Sequence, residues 1–197
     1  MLRLVVLISG TGSNLQAILD ACGQNPANPP ATPLNARVVG VFSNKAEAAG
    51  LQRARACGVP VQTLSHAAYP DRDRFDQAMS DVIAGWQPDL VVLAGFMRVI
   101  KAPLLDAFPG RIINLHPSLL PAFPGLDGIG QAWNAGVPEA GCTVHWVNAE
   151  IDGGAHLGQT RVRREATDTL ETFAHKIHAA EHALLPAVIA RLSETLS

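Results

Sequence analysis

The chain has 197 residues, of which 48% are hydrophobic and 16% charged, with a formal net charge of −2. This composition excludes a disordered chain and fits one globular domain over 1–197 with a substantial core. Scattered Lys and Arg leave no electrostatic footprint for nucleic acid. The N-terminal apolar run is too short to cross a membrane. Cys22, Cys57 and Cys142, an odd number without metal-ligand spacing, read as free thiols of a reducing cytosol.

The first apolar run, Leu2–Ile8, is expected to form a buried strand leading into Ser9-Gly10-Thr11-Gly12-Ser13-Asn14. Glycines there let backbone amides approach a ligand, and the helix expected at Gln16–Ala21 would offer its N-terminus to an anion. The motif is half of a dinucleotide fingerprint. Leu15 replaces the third glycine, and the second strand ends Val41-Phe42-Ser43-Asn44 without an acid. A phosphate monoester fits better than a dinucleotide, with a tight turn holding no ligand as the plain alternative. Asn25–Pro33 holds four prolines and reads as an irregular surface loop.

Further strands are expected at Arg37–Phe42, Val59–Leu64, Leu90–Ala94 and Ile112–Leu115. Helices are expected at Ala46–Ala56, closed by Gly58 as a C-cap, and at Arg72–Ala84. Runs that are apolar throughout suit strands covered on both faces. The pattern is that of an open, mostly parallel, twisted α/β sheet with helices on both faces, in which ligands bind beyond the carboxyl ends of strands. After one such end, Gly95-Phe96-Met97-Arg98-Val99-Ile100 either anchors a loop to the core or forms a wall for a flat apolar ligand.

Asn114 and His116 alternate onto one face of a strand that Pro117 ends. Farther on, Asp152-Gly153-Gly154 is by itself a turn signal. A hydrogen-bond donor, a titratable base and a distant carboxylate are the components of an acyl-transfer site. Spacing alone does not bring Asp152 to His116. Thr143–Val147 and Thr160–Arg163 alternate, which predicts strands with one exposed face. A long helix is expected from about Asp168 to Leu192, kinked at Pro186. At 100° per residue, Leu170, Phe173, Ile177, Leu184, Leu185 and Val188 form an apolar stripe, and Glu181 falls inside it. A carboxylate there has to be paired, neutral or exposed at a cleft. His175, His178 and His182 fall on the polar side or its edge and read as a solvated face rather than a metal trio.

Together the segments LVVLISGTGSNLQAI, VFSNKAEA, PDLVVLAGFMR, NLHPSLLPAFPG, TVHWV, IDGG and EHALLP closely resemble the phosphoribosylglycinamide formyltransferases, folate-dependent enzymes of purine synthesis. They span residues 2 to about 188 in family order, and SGxGSN combined with NLHPSLLP is highly specific. The resemblance implies a single formyltransferase domain over 1–197 with a Rossmann-like fold. It implies transfer of the formyl group of 10-formyltetrahydrofolate, a co-substrate used without a metal, to the amine of glycinamide ribonucleotide on the route to IMP. It assigns Gly12, Ser13 and Asn14 to the phosphate and Glu181 to the ribose hydroxyls. Arg72, Met97, Arg98, Val99, Ile100 and Asn114 fall to the folate. Asn114, His116 and Asp152 become the catalytic trio: an oxyanion donor, a general acid, and a carboxylate that raises the His pKa and orders a proton-relay water. Partners are then small molecules, with neither nucleic acid nor membrane, and the protein a cytoplasmic monomer or homodimer.

Three features depart from the family pattern. Asp127-Gly128-Ile129-Gly130-Gln131 stands where histidines and an arginine are usual, and its glycines bring loop closure into question. His178 stands where a glutamine is common, and Asn25–Pro33 looks like an insertion. Within the superfamily, a formyltetrahydrofolate hydrolase would use a similar trio with water as acceptor, but no regulatory domain precedes residue 1 and the phosphate loop implies a ribonucleotide. A methionyl-tRNA formyltransferase would need a basic tRNA-binding domain. A phosphate- or folate-binding protein without turnover is the alternative of a different class.

Overall fold

A computed structural model describes residues 1–196. Five parallel strands, β1 (Leu2–Ile8), β2 (Ala36–Ser43), β3 (Val61–Thr63), β4 (Leu90–Leu93) and β5 (Ile112–His116), form most of one sheet. β6 (Glu139–Trp146) is antiparallel to β5, and β7 (His156–Arg163) is antiparallel to β6. The seven strands lie in the order β3-β2-β1-β4-β5-β6-β7. The chain therefore winds outward from β1 to β3, then returns to the other side of β1 with β4. That reversal opens a crevice at the carboxyl ends of β1 and β4, where open α/β sheets bind ligands.

Alternation along the strands divides the core. Leu4, Val6, Val92, Ile113, Leu115, Cys142 and Val144 face one layer. It is closed by α1 (Ser13–Ala21), α2 (Gly50–Ala56) and α6 (Leu170–Thr195), through Leu15, Leu51, Leu185 and Val188. Val5, Leu7, Val91, Leu93 and Ile112 face the other layer, under α3 (Arg72–Gly85) and α4 (Ala102–Ala107). Ile112 belongs to this second layer, so Asn114 and His116, two and four positions on, continue the same face to the end of β5. A small third cluster joins α5 (Gly128–Asn134) to α6 through Ile129, Ala132, Phe173 and Ile177.

The open α/β architecture is the one expected, with local differences; α2 begins at Gly50 rather than Ala46. β6 begins at Glu139 rather than Thr143, and its interior is buried on both faces instead of one. One face meets α6; the other is roofed by the loop after β5, where Leu120 N–H donates to Thr143 Oγ1 at 3.1 Å. Gly141 belongs to the same contact, because a Cβ there would lie 2.9 Å from Leu119 Cδ2. β7, an edge strand, keeps the expected alternation. Helices α4 and α5, too short to show a period, were not expected. α6 begins at a reciprocal cap between Thr169 and Thr172 and continues through Pro186.

Candidate active site

At the end of β1 the chain turns through Gly12, whose φ of 70° lies in the left-handed region. A Cβ on Gly12 would also sit 2.5 Å from the Gly50 Cα, so the crossing of this loop with α2 needs a glycine. Arg53 on α2 steadies the loop by donating to the Thr11 carbonyl at 2.9 Å. Gly12, Ser13 and Asn14 thus enter the first turn of α1, where backbone N–H groups have no intrahelical partner and favour an anion. Asn14 Nδ2 donates to Glu181 Oε2 at 2.9 Å, while Asn14 Oδ1 is buried without a hydrogen-bond partner among the described residues.

Glu181 is 3% exposed, and its place in the apolar stripe is explained by pairing at a cleft. His178 Nδ1 lies 3.0 Å from the same Oε2, so both protein partners converge on one oxygen. This hydrogen bond raises the His178 pKa above its ordinary value, against the burial that lowers it. His178, half-exposed, therefore lines the cavity from the edge of the polar face expected for it. In the neighbouring His182, burial lowers the pKa, and the charge of Glu181 opposes that shift.

The catalytic candidates meet at the end of β5. Asp152 has a φ of 53°, and the turn it starts packs so tightly that a Cβ on Gly154 would lie 1.6 Å from the Trp146 carbonyl oxygen. This turn folds the β6–β7 connection back onto β5 and carries the carboxylate to the two side chains. Asp152 Oδ2 is 3.5 Å from His116 Nδ1 and accepts from Gly125 N–H at 2.8 Å. Asp152 Oδ1 is 3.4 Å from Asn114 Nδ2 and 3.5 Å from His145 Nε2. Burial pushes the Asp152 pKa up, but the hydrogen bond with His145, the Gly125 N–H and the two imidazoles prevail, and the net shift is downward. Asp152 is therefore a carboxylate at neutral pH.

His116 is 4% exposed, and its Nε2 lies 2.9 Å from the Phe123 carbonyl oxygen. A carbonyl only accepts, which assigns a proton to Nε2 and leaves Nδ1 as the nitrogen facing Asp152. His145 lay outside the residues expected at the site. It pairs with Asn114 across β5 and β6, and its Nε2 is 3.3 Å from Asn114 Nδ2. Its Nδ1 lies 2.8 Å from the Trp146 carbonyl, which assigns a proton to Nδ1 and leaves Nε2 facing both the Asn114 amide and the Asp152 carboxylate. The signal for His145 was its alternation with Thr143; the strand register that brings it to Asn114 could not be read from sequence.

The third side of the cavity is apolar. Met97, 63% exposed, and Val99 line it from the segment after β4, and Leu126 and Ile151 line the same cavity. Ser9 Oγ donates to Asn44 Oδ1 at 2.6 Å and accepts from Met97 N–H at 2.8 Å, tying the wall to the end of β1. Arg98 turns its guanidinium over the Phe75 ring, 4.5 Å from the centroid, and contributes to the wall mainly through its backbone. Arg72 is not among the cavity residues. It sits at the start of α3, donates to the Val99 carbonyl at 2.6 Å and pairs with Asp76, bracing the wall from outside.

The Asp127–Gln131 departure has a structural reason. Asp127 Oδ1 caps α5 by accepting from Gly130 N–H at 3.1 Å, and Gln131 Nε2 donates to the Pro124 and Leu126 carbonyls. A Cβ on Gly128 would lie 3.0 Å from the Pro117 carbonyl oxygen and 3.3 Å from His116 Nε2. The glycines make room for a cap and for the histidine, so they fasten the segment rather than loosen it. Gly130→Ala would put a Cβ 2.1 Å from Asp127 Oδ2. Loss of the cap should cost about 1 kcal/mol, seen as a lower Tm in thermal unfolding.

An anion loop, an apolar wall and an amide–imidazole–carboxylate cluster between them, at the switch point of an open sheet, define an α/β group-transfer enzyme. The chain belongs to the formyl transferase family, whose model matches residues 2–189. Phosphoribosylglycinamide formyltransferase of Escherichia coli is 43% identical over 188 residues, covering 95% of this chain and 85% of that protein. The bovine trifunctional purine biosynthetic protein adenosine-3 is 41% identical over 187 residues, a match to 95% of this chain but 18% of that protein. Among solved structures, glycinamide ribonucleotide transformylase 1 from Symbiobacterium toebii superposes with a TM-score of 0.92 at 46% identity, covering 99% of this chain and 89% of that one.

Proposed function

We propose that this enzyme transfers the formyl group of 10-formyltetrahydrofolate to the primary amine of glycinamide ribonucleotide. The products are formylglycinamide ribonucleotide, an intermediate of purine synthesis, and tetrahydrofolate. The observation that carries the reading is a single cavity of about 830 Å³ that joins the Gly12–Asn14 loop and Glu181 to the Met97–Ile100 wall, with Asn114, His116 and Asp152 between them. It has room for two substrates with their reacting atoms at the trio. The names of the similar proteins from Escherichia coli and Symbiobacterium toebii support the same reaction.

In this reading the phosphate lies on the α1 N-terminus, and the ribose hydroxyls donate to Glu181. The pterin packs against the wall from Met97 to Ile100, with Arg72 holding the Val99 carbonyl in place. The amine attacks the formyl carbon, a C–N bond forms, and negative charge develops on the formyl oxygen. One N–H of Asn114 is directed to His145 and Asp152; the other stabilises that oxygen. His116 acts as general acid through Nδ1, because Nε2–H is committed to the Phe123 carbonyl: Nδ1–H lends its proton to the formyl oxygen and takes it back as the tetrahedral intermediate collapses. A water ordered by Asp152 carries the proton lost by the amine to the departing folate nitrogen as its bond to the formyl carbon breaks. The whole chain acts as one domain, and its unpaired cysteines suit a cytoplasmic setting. With both substrates supplied, mass spectrometry should find the ribonucleotide converted to its formyl derivative; an unchanged ribonucleotide contradicts the reading.

A further inference from the structure

The His178–Glu181 pair does something the reaction itself does not require. It joins a half-exposed imidazole to a buried carboxylate in the ribonucleotide half of the cavity, and the hydrogen bond between them raises the imidazole pKa. Asn14 supplies Glu181 with one neutral N–H donor, and the other donor to the same oxygen is His178 Nδ1. No lysine or arginine hydrogen-bonds to Glu181 among the described residues. Cys142 on β6 also faces this carboxylate, but burial, helped by the charge of Glu181, pushes its thiol up to about 12, so it brings no charge. His182 on α6 and Arg53 on α2 stand near the pair, and Arg53 is engaged with the Thr11 carbonyl. Lys176, two positions before His178, is paired with Asp168.

We propose that His178 is a positioning residue of the ribonucleotide subsite, holding Glu181 as an oriented carboxylate while protonated, so that ribonucleotide affinity falls as pH rises through the ionisation of this imidazole. The proposal rests on the reading of Glu181 as the ribose-binding group. With His178 protonated, Glu181 receives a charge-assisted hydrogen bond on Oε2, and Oε1 is directed to the ribose hydroxyls. Once His178 is neutral, the same Oε2 keeps two neutral donors, and the carboxylate is held less firmly in a site that offers it little water. Because the Glu181 hydrogen bond raises the His178 pKa, the protonated form persists above the ordinary histidine value. Its stabilising contribution is complete at pH below that ordinary value and is lost as pH rises through the raised one. The difference between a charged and a neutral donor corresponds to about a fivefold change in affinity. The ribonucleotide phosphate works in the opposite direction, since its second ionisation near pH 6 strengthens binding to an anion site as pH rises.

The test is calorimetric titration of glycinamide ribonucleotide into the wild-type protein and His178→Gln between about pH 6.5 and about pH 8.5. Glutamine keeps an N–H donor and the helix but cannot titrate. The ratio of the wild-type dissociation constant to that of the variant should rise about fivefold over this range, because phosphate ionisation acts on both proteins alike. By reciprocity, ribonucleotide binding should raise the NMR titration midpoint of the His178 ring in the wild type. Parallel curves for the two proteins, or an unmoved midpoint, would overturn the role of His178 alone. No binding by either folded protein would overturn the substrate assignment and this proposal with it.

Discussion

His116→Ala should lower kcat by about 10²–10⁴, the range for loss of a positioned general acid. Both proposed substrate subsites lie on other elements, the loop and Glu181 on one side and the wall on the other, so each KM should change far less. The imidazole is fixed from two directions, by the Phe123 carbonyl at Nε2 and by Asp152 at Nδ1. Alanine removes the proton donor and also takes the His116 Nε2 partner from the Phe123 carbonyl. Thermal unfolding therefore accompanies the rate measurement, which is made below the Tm of the variant. A variant with more than a tenth of the wild-type kcat would remove His116 from proton transfer.

Asp152→Asn is the second large effect, a fall in kcat of about 10²–10³ expected from losing the charge that organises three side chains and from the misplacement that follows. In the wild type Asp152 draws together His116, His145, Asn114 and the Gly125 N–H. An amide keeps the shape but has a single acceptor oxygen and no charge. The substitution also changes acid stability. The Asp152 pKa is below its ordinary 3.8 in the folded protein, so its contribution is present above that value and is lost as pH falls through the lowered one. Unfolding measured against denaturant at falling pH should show the wild type losing stability more steeply than Asp152→Asn. Equal slopes would show that the carboxylate is not held as an anion by the fold.

Most of the architecture was legible because its signals are local. β1 and the start of α3 lie where apolar runs and turn residues placed them, and Asn114 and His116 share a face because alternation requires it. Glu181 was legible as an anomaly, a charge in an apolar stripe, and its burial between Asn14 and His178 explains that charge. What escaped depends on distant parts of the chain. The roof over β6 is a loop from the end of β5, so the predicted exposed face is buried. His145 reaches Asn114 only through the β5–β6 register, and Asp152 reaches His116 only through a left-handed turn and a glycine packed on Trp146. The Asp127–Gln131 glycines suggested looseness because composition does not show that Asp127 caps the helix they begin.

Under the proposed function, formyl transfer needs an amine acceptor held by the phosphate loop and Glu181. Tetrahydrofolate release from 10-formyltetrahydrofolate, followed with and without glycinamide ribonucleotide, tests that claim most directly. Release should depend on the ribonucleotide and match the formylated product mole for mole. Release at the same rate without the ribonucleotide would mark a hydrolase using water as acceptor, and no release under either condition would contradict the assignment of the Asn114–His116–Asp152 cluster as a formyl-transfer centre.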